Sequence, residues 1–131
     1  MDQGPLVMPQ IEAGARLVKE FDAYKPVSAA FWLKGSESRN WYLYLASDQI
    51  DDSNFDLAYG EVLRIAGNSP DPWLDPFQVK VVGSNAPVAK DVIAVLHKYP
   101  GKLATRFHGR QLGGMVVEEA YIYPNPVSIS A

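Results

Sequence analysis

The sequence predicts a single α+β domain, one mixed and mainly antiparallel sheet of about five strands with about three helices packed on it. Apolar residues recur at a two-residue period in short runs and at helical spacing in longer ones. The runs follow the order helix, strand, strand, helix, strand, helix, strand, strand, so helix-bearing connections around two hairpins return the chain to one sheet. No internal repeat, low-complexity stretch or composition shift divides the 131 residues. A chain of this size buries roughly two thirds of its unfolded surface, so one core is expected over residues 1–131, with 1–9 and 124–131 as terminal tails.

Each element has its own signal. Ile11, Ala15, Leu17, Val18 and Phe21 keep helical spacing, and Pro26 stops the helix near Tyr24 by disfavouring helical geometry at Lys25. Val27–Lys34 and Trp41–Ser47 are alternating, aromatic runs around the polar loop Gly35–Asn40, which predicts a long-loop β-hairpin. Neither run has a polar face, so the sheet is either covered on both sides or exposes aromatics to a partner. An acidic loop, Asp48–Asn54, precedes a second helix whose stripe is Phe55, Tyr59, Val62, Leu63 and Ala66, ending near Gly67. The proline-rich Asn68–Pro76 is a connector expected to tuck Trp73 and Leu74 onto the core, and Phe77–Val82 follows as a strand. Ser84 or Asn85 can cap a third helix, with Val88, Val92, Val95, Leu96 and Tyr99 as its stripe. Leu103–His108 and Met115–Tyr123 are the last strands, joined through Gly109–Gly114.

Composition narrows the function. Hydrophobic residues make up 47% and charged residues 21%, ordinary values for a globular chain, and no apolar run reaches the length of about 20 residues that spans a bilayer. The N-terminus has neither the basic nor the apolar region of a secretory signal, so a cytoplasmic address is expected. The chain has no cysteine, which removes disulfides, thiol nucleophiles and thiolate metal sites. A net charge of −3 argues against nucleic-acid or anionic-membrane binding by the molecule as a whole.

Three clusters invite a chemical reading. Asp48, Asp51, Asp52, Asp56 and Glu61 crowd one region, but Leu57 and Leu63 stand where a calcium loop needs its glycine and bidentate glutamate, so the acids of 48–61 read as a solvated loop capping the second helix. Arg106, His108 and Arg110 alternate along a strand and could together grip a phosphate or carboxylate if it stays extended through Gly109. Glu118 and Glu119 interrupt the last strand. One joins the row of Val116, Ala120 and Ile122, the other that of Val117, Tyr121 and Tyr123, so at least one shares an apolar face and needs a partner there. Pro70-Asp71 with Gln78-Val79-Lys80 resembles the signature of restriction-type nucleases, but the spacing is too short and Gln78 lacks the charge a magnesium ion prefers. No metal and no cofactor is expected.

Ala29–Leu33, Trp41–Ser47 with Ile50-Asp51, Ala58-Tyr59, and Phe107-His108-Gly109 through Gly114–Tyr123 resemble a family of small uncharacterised bacterial proteins, over roughly residues 11 to 123. That resemblance implies a bacterial cytoplasmic domain and transfers no catalytic residue.

With no nucleophile–base pair or metal set in view, the sequence favours a binding or protein-interaction domain over an enzyme. Its expected surface is Trp32, Trp41, Tyr42 and Tyr44 on the hairpin, for a protein partner or for self-association. The alternative is an enzyme or binding protein for a small anion at Arg106, His108, Arg110, Glu118 and Glu119, and a metal-dependent nuclease is the third reading.

Overall fold

The first helix, α1, runs from Met8 to Tyr24, and its buried Ile11, Ala15, Leu17, Val18 and Phe21 form the expected apolar face. The computed structural model describes residues 6–35, 40–68, 70–98 and 105–124, with the backbone alone described at 105–108, 110 and 115. The helix starts inside the expected N-terminal tail, because Pro9 is tolerated in a first turn, and Leu6 before it is already buried. It ends where Pro26 dictates, at an extended Lys25 whose N–H reaches back to the Phe21 carbonyl.

The remaining elements are β1 (Ala29–Gly35), β2 (Tyr42–Ser47), α2 (Phe55–Asn68), a 3₁₀ turn (Pro76–Gln78), β3 (Val79–Gly83), α3 (Pro87–Lys98), β4 (Thr105–Leu112) and β5 (Met115–Ile122). The five strands form one mixed sheet in the order β3-β2-β1-β5-β4, the α+β architecture expected. β1 and β2 pair antiparallel from Ala29↔Ala46 to Leu33↔Tyr42, and β2 and β3 are parallel, joined by the α2 crossover. β5 lies antiparallel between β1 and β4.

β4 continues past the expected end at His108. Gly109 takes φ 59 within the strand, and the connection shrinks to Gly113-Gly114, whose φ values of 58 and 79 suit a two-residue hairpin turn. A Cβ on Gly113 would stand 2.4 Å from the Val88 nitrogen, so only glycine lets this turn meet the start of α3. The Gly113 N–H also donates to Asp91 Oδ2 at 2.6 Å, which ties the turn to the helix. Ser84 donates to the Ser28 hydroxyl.

Helices cover both faces of the sheet. α1 and α2 pack over Ala30, Trp32, Leu43, Leu45, Val79 and Val81. α3 packs over Ala29, Phe31, Leu33, Ala120 and Ile122. On the two-helix face Trp32 Nε1 donates to Tyr123 Oη at 2.9 Å, and that hydroxyl donates to the Ile11 carbonyl of α1 at 2.5 Å. Burial pushes the Tyr123 phenol well above the usual tyrosine range. Among the described residues no helix is long and apolar enough to cross a membrane.

Candidate interaction surface

The hairpin aromatics are largely covered by the chain itself, which corrects the expectation that they form an open surface. Trp32 and Trp41 are buried on the side of α1 and α2. Tyr44 is buried on the other face, stacked on Phe31 with ring centroids 5.2 Å apart, and that burial, with Tyr42 adding to it, pushes its phenol up. Tyr42 is half-buried beneath the Lys80 ammonium, 4.7 Å from its ring centroid. An alternating strand without a polar face is here one sandwiched between helix layers.

For the C-terminal cluster the structure describes the backbone register of β4. By backbone register Arg106 faces Tyr121, His108 faces Glu119 and Arg110 faces Val117, with Gly109 at positive φ interrupting the regular pleat between the last two. The side chains of Arg106, His108 and Arg110 lie outside the described residues. On β5 the register shifts between Lys34↔Glu119 and Gly35↔Val117, so Glu118 is the extra residue of a bulge. The bulge lets Val117 join Ala120 and Ile122 in one buried cluster and leaves Glu118 exposed, while Glu119 is half-buried. Glu118 therefore shares no buried row, contrary to a strict two-residue reading.

Among the described residues the exposed aromatics, apart from Tyr24 at the end of α1, lie on α2 and the connector after it. Ala58, Val62 and Ile65 form the seam of α2 that enters the core. On the neighbouring seam Phe55 and Leu63 turn outward and are exposed, Phe55 by 44%, while Tyr59 between them is partly buried against the core. The predicted stripe thus merged two seams, of which the sheet takes one. Phe55 and Tyr59 lie ring beside ring at 6.5 Å, and the Tyr59 hydroxyl donates to the Pro76 carbonyl at 3.1 Å. That bond brings the 3₁₀ turn against α2. Phe77 belongs to this turn and not to β3, its N–H held by Asp75 Oδ1 at 2.9 Å, and it is 76% exposed.

Trp73 is also in solvent, 51% exposed, where the sequence placed it on the core; Leu74 beside it packs inward. Asp71 accepts the Trp73 N–H and the Arg16 guanidinium, and the two hold its carboxyl below the usual carboxylate range. Phe55, Tyr59 and Leu63 therefore follow one another along α2, and the turn bonded to Tyr59 brings the exposed Phe77 to the same edge as an apolar strip, with Trp73 exposed on the same connector. The readable signal was the double apolar seam of α2, one more than a helix on a sheet needs.

At its Phe55 end the strip runs into an open crevice of about 430 Å³, lined by Ile50, Asp51, Asp52, Phe55, Val82 and Asn85 among others. The crevice follows from topology. After the parallel strands β2 and β3 the chain leaves to opposite faces, to α2 on one and α3 on the other, which opens a gap at the strands' carboxyl ends. Asp51 is held there by the hydroxyl and N–H of Ser53, which keep its carboxyl below the usual range, and its own N–H donates to Asn54 Oδ1 at 2.9 Å. Asn54 in turn donates to the Gln49 carbonyl, so the acidic loop is an internally bonded lead into α2. Among the described residues no three histidine, aspartate or glutamate side chains are grouped to hold a metal ion. No protein-family model, curated protein or solved structure matches this chain.

Proposed function

We propose that this chain is a protein-interaction domain whose partner docks on the strip of Phe55, Tyr59, Leu63 and Phe77. The carrying observation is Phe77, a phenylalanine three-quarters exposed on a turn that the Tyr59–Pro76 hydrogen bond holds against α2, where Phe55 and Leu63 are exposed as well. A buried phenylalanine contributes about 1.5–3 kcal/mol of transfer free energy. Folding collects little of that here, and a partner covering the strip recovers it. The tyrosine hydroxyl anchored on Pro76 holds the strip rigid, which lowers the ordering cost of binding. The reading keeps the aromatic interaction module expected from sequence and moves its surface from the sheet to the helical edge. The resemblance of the hairpin segments supports a bacterial, cytoplasmic setting and assigns no activity.

Photo-crosslinking in cells tests it. A benzophenone side chain in place of Phe77 is expected to trap a discrete partner adduct, and the same side chain in place of the exposed Lys90 on α3 is not. Identical adduct patterns from both positions, or none from position 77, would overturn the proposal.

A further inference from the structure

We infer that the docking segment is cationic and amphipathic, its apolar side chains lying on the strip while a lysine or arginine enters the adjoining crevice. This rests on the interaction reading above and adds the chemistry of the partner. Phe55 belongs to both the strip and the crevice, so the two form one continuous surface. Asp48, Asp51, Asp52 and Asp56 are all exposed at that end. Lys25 offsets part of the charge on Asp51, and the positive end of α2 supplies about half a charge more, so four carboxylates outweigh both. Farther along, Arg64 is paired with Glu61 and Arg16 with Asp71.

The crevice walls match a long cationic side chain. Ile50, Val82 and Ala86 offer aliphatic surface to a methylene stem, Asp51 and Asp52 supply acceptors for the head group, and the Phe55 ring is available for a cation–π contact. A second copy of the chain brings a net charge of −3 towards these same acids, and an anionic membrane is repelled by them. A basic partner segment satisfies both halves of the surface.

The test uses three synthetic amphipathic helical peptides with one apolar pattern and Lys, Gln or Glu at every polar position. Binding is followed by fluorescence anisotropy and by amide shift mapping of the intact protein. The Lys peptide is expected to bind at least about tenfold more tightly than the Gln peptide at low salt, a gap of about 1.4 kcal/mol that closes as ionic strength rises. Asp52→Asn with Asp48→Asn should shrink the Lys-over-Gln affinity ratio by at least half while the loop keeps its fold, since Asp51, which holds the loop, is retained; an unchanged ratio would overturn the charge inference. Phe55→Ser with Phe77→Ser should weaken both peptides. Equal binding of Lys and Gln peptides on the strip, or tightest binding of the Glu peptide there, overturns the charge inference and leaves the interaction surface standing. If no peptide binds, or the shifts map away from α2 and the 3₁₀ turn, the interaction reading itself falls. A dimer by sedimentation that Phe77→Ser dissociates would make a second copy the occupant and overturn the cationic partner.

Discussion

Trp32 is 1% exposed beneath a two-helix layer, whereas Phe77, an aromatic of similar hydrophobic worth, is 76% exposed on the helical edge. The difference comes from how each element offers its side chains. A strand has two faces, so every aromatic in β1 and β2 is assigned to one layer or the other, and helices of the same chain supply both layers. A helix can carry more apolar circumference than one contact consumes. In α2 the seam of Ala58, Val62 and Ile65 meets the sheet, and on the adjacent seam only Tyr59 packs partly against the core, leaving Phe55 and Leu63 in solvent. Aromatic density in the sequence therefore marked the core, and surplus width on one helix marked the surface.

The sharpest way to break this contrast is to remove the buried ring. Trp32→Ala should cost about 3–5 kcal/mol of stability, because a cavity opens where the α1 side is close-packed. The ring has no slack on that side: a Cβ on Gly14 of α1 would already stand 3.0 Å from Trp32 and 2.5 Å from the Tyr123 hydroxyl. Urea unfolding would report this as a lower midpoint at unchanged slope. A loss below about 1 kcal/mol would mean the two-helix layer is not the tight one.

A smaller effect is expected from the hydroxyl in that layer. Tyr123→Phe leaves Trp32 Nε1 buried without its acceptor and should cost about 1–3 kcal/mol at neutral pH. It should also change the alkaline limb of stability. Burial raises the Tyr123 phenol above its unfolded value, so its contribution is complete below about pH 10 and declines as pH rises beyond, where the unfolded chain gives up the proton first. Stability measured across that range should fall less steeply in the phenylalanine variant. Equal slopes for the two proteins would contradict the assignment of this tyrosine to a dry layer.

The fold was largely legible because its signals are local and redundant. Pro26 stopping α1, two-residue alternation in Val27–Ser47 and the helical spacing of Val88, Val92 and Val95 each determine an element without knowledge of its neighbours. The surface was less legible because it depends on rotation and register. Nothing in the order of residues 55–66 states which of two adjacent seams turns toward the sheet; that is settled by α1 and β3 packing beside α2. The pair Glu118-Glu119 likewise hides a bulge, since a one-residue change of register against β1 is set by how Gly35 pairs, not by the glutamates. Phe77 looked like a strand residue because it precedes one. Asp75 and Pro76 form a 3₁₀ turn there and carry its ring into solvent.

The mildest substitution is the most discriminating for the exposed half of the comparison. Phe77→Ser should change folding stability by less than about 0.5 kcal/mol, since the ring is mostly in water already and the serine keeps the N–H bonded to Asp75. The same change should remove partner adducts formed through a crosslinker at Leu63, a turn beyond Tyr59 on the strip. A core-like cost would show the ring packed in solution by something other than this fold. Stability unmoved with binding lost is the signature of an aromatic that folding leaves for a partner, and it separates Phe77 from Trp32 by function as well as by exposure.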